Sequence, residues 1–200
     1  MNKNPIIDKH EITFFTTANE KGWGYRHGHF LGLRQHHTYW MYKVIDDILN
    51  ENKQIKGIIE IGTAEGALSV FLGLECYERG LKPLLTYDIK KYKEPRLFKL
   101  LGIKAVIRDC FHEDSIREIK EYVDSPILFI CDGKDKPKDF NYFAGFLKQD
   151  SIIAAHDWNL QIELKDISDT VNKYALEPLH EEEWYSPPDY IKICFWMKTR

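Results

Sequence analysis

From Lys56 onward, short apolar runs alternate with longer stretches whose apolar residues recur at helical spacing. Gly57 to Ile61 is one such run, followed by Ala64 to Tyr77 with Leu68, Phe71, Leu72 and Leu74 apolar. Pro83 to Asp88 precedes a short helix near Pro95 to Leu101. Lys104 to Arg108 precedes a helix starting about Asp114, with Ile116, Ile119 and Val123 on one face. Pro126 to Cys131 leads into Phe140 to Leu147, and Ser151 to Ala155 into Leu164 to Leu176. This alternation predicts an α/β fold, with a doubly wound, mostly parallel sheet and helices on both faces. The end departs from the pattern. Leu179 to Trp184, a turn at Pro187-Pro188 and then Tyr190 to Met197 predict a closing hairpin with an antiparallel last strand, the seventh of the sheet.

The first forty residues have a different texture. They hold five of the eight histidines (His10, His27, His29, His36 and His37) and the cluster Gly22-Trp23-Gly24-Tyr25. Glycines and aromatics mixed with His and Arg predict an irregular segment folded over something, not a free tail. Tyr39 to Leu49 then reads as a helix with Trp40, Val44, Ile45 and Ile48 on one side. The expected division is a cap or lid segment with its helix over residues 1–50, and the sheet domain over 51–200.

Composition narrows the function. Lys and Arg number 28 against 31 Asp and Glu, a net charge of −3, so a general polyanion binder is not expected. With 44% apolar and 30% charged residues the chain has the balance of a globular domain. No apolar run approaches the roughly 20 residues of a membrane span, and the polar start predicts no secretory leader. A soluble, cytoplasmic protein is the expectation. The cysteines (Cys76, Cys110, Cys131 and Cys194) show no metal-type spacing, and Cys131 and Cys194 sit in apolar runs, so disulfides are not expected.

In open α/β sheets ligands bind beyond the carboxyl ends of the strands. The first run ends in Glu60-Ile61-Gly62-Thr63-Ala64-Glu65-Gly66. Ala64 breaks the GxGxxG pattern and no Lys-Ser/Thr follows Gly66, so neither a dinucleotide fingerprint nor a P-loop is present. Glu65, expected in the first helical turn, would repel a diphosphate and favours an uncharged or zwitterionic ligand. Asp88 ends the second strand, where a carboxylate can accept both hydroxyls of a ribose or else cap the next turn. Asp109 follows the third strand and could accept from an adenine amino group, while Asp114 is expected to cap the following helix. Asp132 and His156-Asp157 end the fourth and fifth strands, roughly 5 Å apart if those strands are neighbours. Two carboxylates so placed need a shared proton or a cation, such as Mg²⁺, Ca²⁺ or Mn²⁺ with a nitrogen from His156. Salt bridges to Lys134, Lys136 or Lys138 would serve equally. Ser186-Pro187-Pro188-Asp189 reads as a turn.

Taken together, these strand ends resemble class I S-adenosylmethionine-dependent methyltransferases, whose sheet is Rossmann-like and seven-stranded. The likeness is nearest to the cephalosporin-hydroxylase-like and macrocin-type O-methyltransferases, whose EIGT, DG and HD or ED motifs are matched in order over roughly residues 38–160. The resemblance implies that Glu60, Gly62, Thr63, Ala64, Gly66, Asp88, Asp109 and Asp132 bind S-adenosylmethionine. It implies Mg²⁺ on Asp132, His156 and Asp157. Two positions depart from the family: His156 stands where Glu is usual, and Asp135 where some members carry a catalytic His. His156, with a pKa near neutrality, is the better-matched general base, and Asp135 is a second candidate.

The expected function is methyl transfer to a hydroxyl of a small molecule, sugars among the candidates. Trp23, Tyr25, His27, His29, His36 and His37 are candidate lid or acceptor contacts, or simply packing residues. Neither a nucleic-acid nor a membrane partner is expected, and a homo-oligomer stays open. Two alternatives are a non-catalytic domain that binds the cofactor for regulation or assembly, and a nicotinamide-dependent oxidoreductase.

Overall fold

The computed structural model describes residues 12–18, 24–35, 37, 39–92, 95–181 and 192–200. Within them a seven-stranded sheet runs in the order β6-β5-β4-β7-β8-β10-β9. Its strands are β4 (Ile58–Ile61), β5 (Leu85–Asp88), β6 (Lys104–Ile107), β7 (Leu128–Cys131), β8 (Ile152–His156), β9 (Leu176–Leu179) and β10 (Ile193–Lys198). The first five are parallel, and β10 runs antiparallel to both β8 and β9. Every residue of β4, β7 and β8 is buried, as strands covered by helices on both faces require. At the edges the pattern loosens: Ile107 in β6 is half exposed, and β9 carries Pro178, a residue that only an edge tolerates. All four cysteines are buried and unpaired.

The helices are α1 (Tyr39–Glu51), α2 (Ala67–Arg79), α3 (Arg96–Leu101), α4 (Glu113–Tyr122), α5 (Lys136–Phe143) and α6 (Leu164–Lys173). Two boundaries differ from expectation. His112, not Asp114, caps α4: its ring nitrogen accepts from the Asp114 amide at 3.2 Å, which places Asp114 inside the first turn. The last helix stops before Leu176 because Ala175 turns left-handed (φ 49°), and Leu176 then opens β9. Leu176 suits either an apolar helix face or a strand, and pairing with Lys198 of β10 decides for the strand. A strand spans Leu176–Leu179, and residues 182–184 of the expected strand from Leu179 to Trp184 lie outside the described residues. The Pro187-Pro188 turn lies outside the described residues.

The amino-terminal segment is not irregular. It forms a three-stranded antiparallel sheet of β1 (Ile12–Ala18), β2 (Gly24–Phe30) and β3 (Leu33–Gln35). A two-residue turn joins β2 to β3, with Leu31 and Gly32 both at positive φ (50° and 80°), the conformation of a type I′ hairpin. Leucine is an unfavourable first residue for that turn, which hides it from a sequence reading. Phe30 anchors the small sheet: its ring lies 6.0 Å from Phe71 of α2 and 5.8 Å from Tyr42 of α1. This second layer explains why nine residues of α2, from Ala67 to Cys76, are buried, far more than one apolar stripe. Arg79 ties α2 to α1 by donating to Asn50 at 2.9 Å and to the buried Asp46, while its Nε donates to Glu75 within α2 at 2.6 Å.

Candidate active site

Strand order reverses between β4 and β7, and the carboxyl ends of these strands carry the candidate residues. After β4 the chain passes through Gly62 (φ 104°), Ala64 (φ 45°) and Gly66 (φ 86°), all in the region that favours glycine. Gly62 has a second constraint. A Cβ there would lie 2.3 Å from the backbone oxygen of Asp132, so the turn and the Asp132 loop touch through this position. Glu65 precedes the N-cap Gly66 and is exposed, so the first turn of α2 holds no acid, contrary to expectation.

Glu60 does not face the opening. It is fully buried, accepting from Ser69 at 2.5 Å and Thr86 at 2.7 Å. Burial pushes its carboxyl up to about 8, against the opposing pull of those two hydroxyls. Thr86 in turn meets Thr63 of the glycine turn at 2.7 Å. Asp88 clamps the same turn: Oδ2 accepts from the Ala64 amide at 2.9 Å and Oδ1 from the Lys90 amide at 2.8 Å. A carboxylate has about four acceptor sites, so capacity for a diol remains. Asp109 is exposed beyond β6 and accepts from the Phe111 amide at 2.9 Å.

Beside the switch point, the neighbouring strands β7 and β8 bring together what the sequence set 24 residues apart. Asp132 Oδ1 lies 3.0 Å from His156 Nδ1. Asp132 Oδ2 lies 3.2 Å from Nε2 of His37, which enters from the segment between β3 and α1. The two imidazole rings meet edge to face, with centroids 4.8 Å apart. Burial works against ionisation of Asp132, but the charge and hydrogen bond of His156, helped by His37, hold its carboxyl well below the usual range. Burial also opposes charge on His156, yet Asp132 outweighs it and raises the imidazole above its ordinary value. For His37 burial prevails and the pKa is lowered. Of the two imidazoles, His156 is therefore the one whose protonated form Asp132 favours, and His37 the one that burial keeps from charging.

Asp157, in a left-handed conformation (φ 57°), borders the trio: its Oδ2 lies 3.2 Å from Lys136 Nζ and 3.6 Å from His156 Nδ1. Lys136 is buried, donates to the Gly133 carbonyl and to Gln161 at 3.0 Å each, and lies 3.6 Å from Asp132. Asp135 is exposed and caps α5, accepting from the Lys138 amide at 3.2 Å, outside the trio. The sequence alone marks His37 only as a lid or packing residue and Lys136 only as one of three salt-bridge partners. One signal was available for Lys136: it opens a helix, where the dipole disfavours a cation unless a specific partner holds it. His29 is exposed. Trp23 and His36, and the side chains of Tyr25 and His27, lie outside the described residues.

Among the described residues, Tyr42 Oη, His37 Nδ1, Glu60 Oε1 and both amide atoms of Gln35 are buried without a hydrogen-bond partner. Burial, helped by the charges of Glu60 and Asp132, pushes the Tyr42 hydroxyl well above its ordinary pKa. Buried polar groups ordinarily find partners, so a bound polar molecule or ordered water belongs here.

No protein-family model matches the chain, and no curated protein matches it. Solved structures do. CmcI, in a structure described as cmcI-D160 Mg-SAM, superposes with a TM-score of 0.61 at 14% identity, over 83% of this chain and 75% of that one. A caffeoyl-CoA O-methyltransferase-like protein from Staphylococcus aureus gives 0.54 at 12% identity, over 80% and 84%. MycE methyltransferase from the mycinamycin biosynthetic pathway, solved with Mg, SAH and mycinamycin VI, gives 0.50 at 16% identity, over 81% of this chain and 46% of that one. At such identities the likeness establishes the fold, a seven-stranded Rossmann-like sheet shared with methyltransferases.

Proposed function

We propose that this chain transfers a methyl group from S-adenosylmethionine to a hydroxyl of a small molecule, with His156 as general base. The observation that carries the reading is the Asp132–His156 pair, 3.0 Å apart at the switch point and beside the glycine turn that Asp88 clamps. The residues present suit the methyl donor. Asp88 keeps acceptor capacity for a ribose, and Ile89 beside it is an exposed apolar surface for a purine face. The donor supplies an electrophilic methyl on a sulfonium, which departs as a neutral thioether once the methyl leaves.

The chain's own part is alignment and one proton. The glycine turn and Asp88 fix the donor side, and His156 holds the acceptor side across the switch point. His156 takes the hydroxyl proton as the acceptor oxygen bonds to the methyl carbon. Asp132 orients the ring and stabilises the imidazolium that forms, as a buried carboxylate does for histidine in other base pairs. Asp135, engaged at the helix start, is the less suited base.

Magnesium is less well served. Hard cations of this kind prefer an oxygen-rich set, whereas the trio offers one carboxylate and two imidazoles, and Lys136 engages Asp157. No step is assigned to it.

Calorimetric titration with S-adenosylhomocysteine tests the donor site. Saturable binding to the wild type, with loss in Asp88→Ala, is expected. A folded wild-type protein that binds none overturns the reading.

A further inference from the structure

We propose that His37, Asp132 and His156 form a two-histidine, one-carboxylate centre for a borderline divalent transition-metal ion of the Fe²⁺, Co²⁺ or Zn²⁺ class, in preference to Mg²⁺. This goes beyond the site reading above: it uses the same trio, an ion on His156 Nδ1 would take that ring out of service as the base, and it does not depend on the identity of the methyl donor.

The geometry fits a shared ion. Two ligands bound at about 2.1 Å and at angles between a right angle and the tetrahedral value stand about 3.0–3.4 Å apart. His156 Nδ1 is 3.0 Å from Asp132 Oδ1 and His37 Nε2 is 3.2 Å from Asp132 Oδ2, one imidazole on each oxygen of the carboxylate. One donor atom from each of the three residues lies within 4.8 Å of the others, so modest ring rotation brings them onto one centre. The three come from separate parts of the chain: the link between β3 and α1, the end of β7 and the end of β8. Packing sets the convergence, with the His37 ring edge-on to both Tyr42, at 6.2 Å, and His156.

Donor chemistry selects the ion. Two imidazoles and one carboxylate suit metals with a real preference for nitrogen, and this composition is typical of non-haem iron sites. Magnesium is held mainly by charge and keeps a shell of oxygen ligands. The charge here is modest. Asp132 and Asp157 carry two negative charges, Lys136 cancels one, and Lys136 is fixed by the Gly133 carbonyl and Gln161. The carboxylate that would make the site oxygen-rich, Asp157, borders it at 3.6 Å from His156 Nδ1, but the same oxygen is held closer, at 3.2 Å, by the buried ammonium of Lys136. The ammonium also lies 3.6 Å from Asp132, so it weakens any cation there, and a soft contribution from nitrogen ligands must compensate.

The test uses chelator-stripped full-length protein, titrated with Co²⁺ and followed by visible ligand-field absorption, with Zn²⁺ and Mg²⁺ as competitors. One Co²⁺ per chain is expected, displaced by Zn²⁺ and not by a large excess of Mg²⁺. His37→Ala and His156→Ala should each weaken Co²⁺ by at least the ~10–100-fold that outer-sphere partners alone command. Lys136→Met should strengthen it. Circular dichroism and S-adenosylhomocysteine binding, measured on the same samples, separate the two readings. Cofactor binding by a folded protein that takes up no Co²⁺ overturns the metal centre and leaves the methyl-donor site standing. Co²⁺ binding without cofactor binding does the reverse. Displacement by Mg²⁺, or a His37→Ala protein that binds Co²⁺ as tightly as the wild type, also overturns the proposal.

Discussion

Glu60 is a strand residue whose charge the fold resists. Its folded pKa of about 8 lies above the ordinary carboxyl value, because burial penalises the charged form more than Ser69 and Thr86 favour it. The folded state therefore binds the proton more tightly than the unfolded chain. The stability it lends is fully present below the unfolded pKa and is lost as pH rises through about 8. Glu60→Gln should flatten that alkaline loss, seen as a smaller fall in melting temperature between pH 6 and 9 on differential scanning calorimetry. At the reacting end, His156 must be neutral to accept a proton, and its raised pKa delays that state. Methyl transfer should therefore rise with pH through a pKa above the free imidazole value. Asp132→Asn should move the rise to lower pH while lowering kcat roughly 10²–10⁴-fold, as loss of a base's support does; an unmoved profile would dissociate the pair from catalysis. Gly62→Ala should cost roughly 1–3 kcal/mol in urea unfolding, through positive φ and collision with the Asp132 carbonyl.

Among the elements, the amino-terminal sheet is held to α2 mainly by aromatic packing at Phe30, and His37 enters the site directly after it. Phe30→Ala should cost about 3–5 kcal/mol and raise hydrogen exchange in β2 and β3 before the central strands. The same change should lower activity by loosening His37, a loss that a purely local packing role would not produce. The join between α1 and α2 rests on Arg79. Arg79→Ala leaves Asp46 and Glu75 buried without their cation, and a destabilisation of about 3–5 kcal/mol is expected on chemical denaturation.

At the scale of the molecule, binding to the folded state alone raises its stability by mass action. S-adenosylhomocysteine at a hundred times its Kd should add about 2.7 kcal/mol, read as an upward shift in melting temperature. Among the described residues no helix is long and apolar enough to cross a membrane.

The sheet was legible in the chain because burial on both faces writes itself as unbroken apolar runs, as in Ile127 to Cys131 and Ile152 to Ala155. Turn chemistry after β4 and the carboxylates at strand ends were legible for the same local reason: a glycine or an acid at a fixed offset from a strand has few alternative uses. What the sequence left open were matters of pairing. Leu176 joined a strand because β10 was there to receive it, and the histidine-rich segment became a sheet through a hairpin whose first turn residue is leucine. The site depended most on tertiary contact. His37 reaches Asp132 across 95 positions, and Lys136 meets Asp157 from the start of the helix after β7. Local sequence determines which backbone conformations a segment favours and which residues stand at a strand's end. Only packing decides which distant charge arrives opposite them, because that energy exists only when the chain has closed.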